Sequence, residues 1–197
     1  MRTALERPGP DWFTDTYARA LFTRFLEPLA GKPDLRFLQI GAYCGDASEW
    51  MLDHVLTHPS SWLIDVDTWE GSAEVAHEAI DFDDVFGFYV QRMNAHRGSG
   101  GHTQFRRQTS DEFFTNYMGP RFDFIYIDGS HETHQVLRDA VNAERLIASG
   151  GLIAFDDYQW VNGTDNTPGP AIDAFLRCFR RRVAVLHKGL QVWVVAQ

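Results

Sequence analysis

Phe122-Asp123-Phe124-Ile125-Tyr126-Ile127-Asp128-Gly129-Ser130-His131 is a nearly continuous apolar run that stops on an acid and a glycine. Such a run, bounded by turn residues, reads as a strand buried on both faces of a parallel sheet. Working outward, four more β-type runs end at polar or glycine positions. Residues 35–40 stop at Gly41, 62–66 at Asp67, the half-polar 103–107 at Gln108, and 152–155 at Asp156-Asp157. Helical stretches lie between them: 46–57, about 84–96, a short helix capped by Ser110 and running to Tyr117, and 134–148, which Ser149-Gly150-Gly151 should stop. Gly98-Ser99-Gly100-Gly101 reads as a flexible break. An aromatic-rich helix is expected over 11–30. This alternation predicts an α/β domain with a mostly parallel sheet covered on both faces. After a helix over 171–182, runs 183–187 and 190–195 flank only Lys188-Gly189, which predicts a hairpin and an antiparallel last strand. The expectation is one domain over 1–197 with seven strands. Residues 1–34 form its N-terminal helical segment, and 69–101 a lid or substrate region.

The chain has 197 residues, enough for one core, and a composition 44% hydrophobic and 23% charged, which is globular. A net charge of −9 repels phosphate backbones, so nucleic acid is not an expected partner. Two cysteines, Cys44 and Cys178, do not suggest a disulfide-stapled secreted domain. No signal peptide and no bilayer-spanning run is read, so a cytoplasmic location away from membranes is expected. The six tryptophans suit either a homo-oligomer interface or a core.

In open α/β sheets, ligands bind beyond the carboxyl ends of the strands. Gly41 and Gly45 allow the chain to turn sharply after strand one and approach a ligand, although an ordinary strand-to-helix turn has the same glycines. Their spacing is G-x-x-x-G, which disfavours a nicotinamide dinucleotide. Asp67, better placed than Asp65, can accept two ribose hydroxyls, or cap a helix, or stand in solvent. Trp69 can cover an adenine or pack in the core. Asp128, Asp156 and Asp157 end strands expected to be neighbours, about 4.8 Å apart. Three carboxylates on one rim repel, and a hard divalent cation such as Mg²⁺ relieves that crowding. Alternatively, one acid caps a helix, one pairs with an arginine and one is solvated. His131, three residues beyond Asp128, can take a proton at neutral pH, or cap the next helix.

These residues resemble a family. The chain is similar to class I S-adenosylmethionine-dependent methyltransferases, and more narrowly to metal-dependent O-methyltransferases. Residues 41–45 are similar to the first motif of catechol O-methyltransferase. Residues 122–131 and 150–158, with 168–173 and 188–193, resemble the branch containing the macrocin-type sugar O-methyltransferases. A parallel sheet finished by an antiparallel hairpin suits that fold. The resemblance implies S-adenosylmethionine as cofactor, a divalent cation, and transfer to a hydroxyl of a small molecule with neighbouring oxygens. It implies that Gly41, Ala42, Tyr43 and Gly45 line the methionine part, that Asp67 with Thr68 and Trp69 takes the ribose side, and that Ser110 and Asp111 sit at the adenine edge. Asp128, Asp156 and Asp157 would bind the metal, Asp128 also bordering the cofactor, and His131 would be the base. The chain departs from the pattern at Gln39, where many relatives have glutamate, and at Ala47, where serine is common. Ser48 or backbone N–H groups would then hold the cofactor's carboxylate. A non-catalytic binding protein on the same fold and a metal-dependent hydrolase are the rival classes.

Overall fold

The computed structural model describes residues 6–14, 16–72, 79–96 and 100–197. The elements are α1 (Tyr17–Leu26), a 3₁₀ turn (Glu27–Leu29), β1 (Arg36–Ile40), α2 (Asp46–His54), β2 (Trp62–Asp67), α3 (Phe82–Ala95), β3 (His102–Arg107), α4 (Ser110–Asn116), β4 (Phe122–Ile127), α5 (Thr133–Leu146), β5 (Ile147–Phe155), α6 (Pro168–Cys178), β6 (Val183–Lys188) and β7 (Val192–Ala196). They form a single α/β domain with a Rossmann-like sheet of order β3-β2-β1-β4-β5-β7-β6. The first five strands are parallel, and β7 inserts antiparallel between β5 and β6. Among the described residues, no helix is long and apolar enough to cross a membrane.

Strand alternation splits the core between the two faces of the sheet. On one face Phe37, Leu63, Phe124, Tyr126 and Trp193 pack against Phe22 of α1, Met51 of α2 and Tyr89 of α3. On the other, Leu38, Ile64, Ile125, Ile127 and Phe155 pack against Phe113 of α4, Val136 and Ala140 of α5 and Ile172 and Phe175 of α6. Five of the six tryptophans are buried or half-buried, and only Trp12 is exposed.

Several boundaries differ from the sequence reading. The first helix is shorter, because Asp11 accepts from the N–H groups of Phe13 and Thr14 in a turn before Thr16 caps α1. Thr109, not Ser110, caps α4, and its hydroxyl and Glu112 bond reciprocally in a capping box. Helix α5 stops at Leu146 rather than at Ala148. The stretch Ser149-Gly150-Gly151 is not a helix stop but part of β5, where Gly150 at φ +79° accompanies an irregularity in the pairing with β4. Residues 98–99 of the expected flexible break lie outside the described residues.

Candidate functional site

The sheet order reverses between β2 and β4 on either side of β1, the switch point at which such sheets bind ligands. Three strand ends are bound together there by backbone groups. The N–H of Gly41 donates to Val66, and the N–H of Asp128 donates to Ile40. Asp67 ties the glycine turn down further. Its Oδ2 accepts from the N–H groups of Ala42 (2.7 Å) and Tyr43 (2.9 Å), and its Oδ1 from the N–H of Trp69 (2.8 Å). Tyr43 and Trp69 both take positive φ in these turns.

A cavity of about 820 Å³ opens over these ends. One side carries Gly41, Ala42, Tyr43, Asp67, Thr68, Ser110 and Asp111, and the other Asp128, His131, Asp156 and Asp157. The sequence reading thus brings eleven of its candidate residues to one space. Three do not reach it. Gly45, at φ +80°, starts α2 and packs against Tyr89 and Met93. Ser48 is fully buried and donates to Gln39 Oε1, so it does not offer its hydroxyl to a cofactor carboxylate. Trp69 is a core residue, not an adenine cover. Its ring sits among Phe86, Tyr89 and Phe105, and its indole N–H donates to the carbonyl of Tyr43. Of the expected lid, Gly71, Ser72 and Phe82 border the cavity and α3 packs on the core through Val85, Tyr89 and Met93, while residues 73–78 and 97–99 lie outside the described residues.

The acidic end is crowded. Burial, reinforced by Asp156 and Asp157, holds the Asp128 carboxyl well above its usual range. Burial and then Asp157 raise Asp156 in the same direction. Asp156 was expected to point at a metal, but its oxygens are engaged otherwise. Oδ1 accepts from Tyr17 Oη at 3.0 Å and from the N–H of Asp157 at 2.8 Å, and Oδ2 from Tyr126 Oη and, at 3.0 Å, from Gln191 Nε2. The three donor atoms that do converge belong to Asp128, His131 and Asp157, all within 4.8 Å of one another. His131 Nε2 lies 2.8 Å from Asp157 Oδ2, and Trp160 covers the imidazole with ring centroids 4.7 Å apart. Asp157 itself takes φ +55°, a strained conformation that a non-glycine residue keeps only where its surroundings hold it.

Some lining residues had no signal in the sequence. Trp12, Phe13 and Tyr17 approach from the N-terminal segment. That segment is clasped by Arg7, whose guanidinium meets both oxygens of Asp46 at 2.7 Å, and Trp12 packs on Tyr43 with centroids 4.7 Å apart. Gln135 and Asp139 enter from α5. Among the described lining residues there is no lysine or arginine, while carboxylates are many, so the cavity favours cations.

A family model described as a methyltransferase domain matches residues 38–158. The O-methyltransferase from Bacillus cereus in complex with SAH has a similar structure (TM-score 0.65, 15% identity), covering 95% of this chain and 84% of that one. The O-methyltransferase TomG from Streptomyces achromogenes, involved in tomaymycin synthesis and solved with SAM, is similar at TM-score 0.67 and 13% identity, covering 95% and 83%. An rRNA methylase from Streptococcus thermophilus shares the fold at TM-score 0.63 and 12% identity, covering 93% and 99%. No curated protein matches. At such identities the solved structures speak for the fold, whereas the matched region spans most of the chain, including every strand end around the cavity, and the chain belongs to this family of methyltransferase domains.

Proposed function

We propose that this S-adenosylmethionine-dependent methyltransferase is an O-methyltransferase that uses a divalent cation, Mg²⁺ in the first instance, to methylate a hydroxyl of a small molecule. The observation that carries the reading is the single cavity joining a glycine turn and Asp67 to the cluster of Asp128, His131 and Asp157. The glycine turn fits a close-lying ligand, because Gly41, Ala42 and Tyr43 line the cavity directly. The crowded carboxylates fit a dication, which would offset the burial and the mutual repulsion that together raise Asp128 and Asp156. The absence of lysine and arginine from the described lining suits a sulfonium cofactor and disfavours a polyanionic acceptor such as nucleic acid.

When bound, the cofactor supplies an electrophilic methyl group and the cation lowers the pKa of the acceptor hydroxyl. The chain's own residues do the rest. Asp128 and Asp157 would hold the cation. His131, which Asp157 Oδ2 holds through Nε2 at 2.8 Å, is the base that takes the acceptor's proton. Trp160 and Asp157 fix the ring, so little reorganisation is needed. Asp156 is held by Tyr17, Tyr126 and Gln191, so it braces the cluster from behind rather than acting as a ligand. Trp12, Tyr17 and Trp160 form the aromatic side of the acceptor space.

Calorimetry with S-adenosylhomocysteine, followed by transfer assays against hydroxylated acceptors with Mg²⁺ and with a chelator, tests the reading. One-to-one binding and chelator-sensitive transfer to oxygen are expected. Absence of binding would remove the cofactor assignment, and undiminished transfer in chelator would remove the metal.

A further inference from the structure

Beyond Asp67 the cavity continues into a polar corner where α4 meets α5. Gln135, on the first turn of α5, sets its amide nitrogen 3.1 Å from Ser110 Oγ and 3.1 Å from Asp139 Oδ1, with Asp111 Oδ1 at 3.5 Å. Ionised carboxylates accept hydrogen bonds and donate none. The nitrogen of the amide must therefore face them, which turns its carbonyl oxygen away. Among the described residues no hydrogen bond reaches that oxygen, although Gln135 lines the cavity.

The other acceptors of the corner are committed. Asp111 Oδ2 meets Arg138 at 2.6 Å. Asp139 is only 1% exposed, and Ser110 and Gln135 both hydrogen-bond to it against the cost of burial. A buried acid that lines a cavity, tied to a serine and an amide, makes a rigid frame with one acceptor on offer.

Adenine presents an exocyclic amine, a donor, where hypoxanthine presents a carbonyl. A fixed amide oxygen accepts from the first and repels the second. We propose that Gln135 Oε1 receives the exocyclic amine of the cofactor's adenine, and that Ser110 and Asp139 are positioning residues that aim it. The assignment rests on the reading that this cavity holds S-adenosylmethionine.

The test is calorimetry on the full chain with S-adenosylhomocysteine and with S-inosylhomocysteine, which carries a carbonyl in place of the amine and a protonated ring nitrogen beside it. The wild-type chain should prefer the adenosyl ligand by about tenfold or more. Gln135→Met should lose about that factor for the adenosyl ligand and change by less than about twofold for the inosyl one, bringing the ratio near one. Asp139→Asn gives the Gln135 carbonyl a donor and lets the amide turn round, so it should shrink or invert the ratio. It also carries the test if the Gln135 variant does not fold. A wild-type chain without preference overturns the proposal. So does a Gln135→Met chain that weakens both ligands equally and keeps the ratio, because that is the signature of packing alone. A wild-type chain that binds neither ligand fails at the earlier step, the cofactor reading itself.

Discussion

Gly41 and Asp128 meet backbone to backbone: a Cβ on the glycine would stand 1.8 Å from the carbonyl oxygen of Asp128. With φ at +85°, the glycine is also in a conformation that side chains rarely adopt. The contact welds the turn after β1 to the strand end that carries the first acid of the cluster. Gly41→Ala should therefore lower stability by more than about 3 kcal/mol, through clash and strain together. A thermal unfolding midpoint near that of the wild type would show that the two strand ends can part without cost.

Asp67 holds three backbone N–H groups, and its removal leaves them without an acceptor. Asp67→Ala should cost about 2–4 kcal/mol in urea unfolding and weaken S-adenosylhomocysteine as the turn loosens. Retained affinity in a destabilised variant would confine Asp67 to a structural role.

His131 and Asp157 act as a unit in the proposed chemistry. His131→Ala should lower turnover by about 10²- to 10⁴-fold and leave S-adenosylhomocysteine affinity close to that of the wild type. A single-turnover assay beside calorimetry separates the two. Cofactor affinity falling in step with rate would make the histidine a part of the cavity wall.

The acids divide by what holds them. Asp157→Ala should abolish most Mn²⁺ binding, read by electron paramagnetic resonance, whereas Asp156→Asn should weaken it less, because Asp156 is turned towards Tyr17, Tyr126 and Gln191. Equal losses would place Asp156 in the first coordination sphere.

Asp65 is fully buried beneath α3, where Tyr89 Oη donates to its Oδ2 at 2.6 Å and no hydrogen bond meets Oδ1 among the described residues. Burial lifts its carboxyl from 3.8 to about 7. Between those values the folded chain holds a proton that the unfolded chain has released. The stability this group contributes is complete below the unfolded value and disappears as pH rises through about 7. Moving from about pH 5 to about pH 8, the wild type should lose a few kcal/mol relative to Asp65→Asn, measured by urea unfolding. Parallel pH profiles for the two chains would refute the shift.

The sheet was legible because its signals are local. A short apolar run stopping at an acid or a glycine is visible in one dimension, and Asp67, Asp128, His131 and Asp157 all followed from it. The start of β5 was not, because Ser149-Gly150-Gly151 reads as a stop unless the pairing with β4 is known. Ser48 and Trp69 were misplaced for a related reason. Both stand beside cavity residues in the chain, but backbone direction turns Ser48 to Gln39 and Trp69 under α3. Gln135, Asp139 and Tyr17 reach the cavity only through the packing of helices onto the sheet, which periodicity does not reveal.

The residues that match the family begin at position 38, yet Trp12, Phe13 and Tyr17 form one side of the cavity. Two pieces of chain therefore meet at the cavity: the sheet, with the acids, the imidazole and the glycine turn at its strand ends, and a leading segment fastened to it by Arg7 on Asp46. Exchanging the residues of that segment other than Tyr17, which holds Asp156, would leave Asp128, Asp157, the imidazole and the glycine turn in place while reshaping what can enter. On the proposed reading, acceptor preference can then shift through residues that lie outside the matched family region and apart from the proposed chemistry.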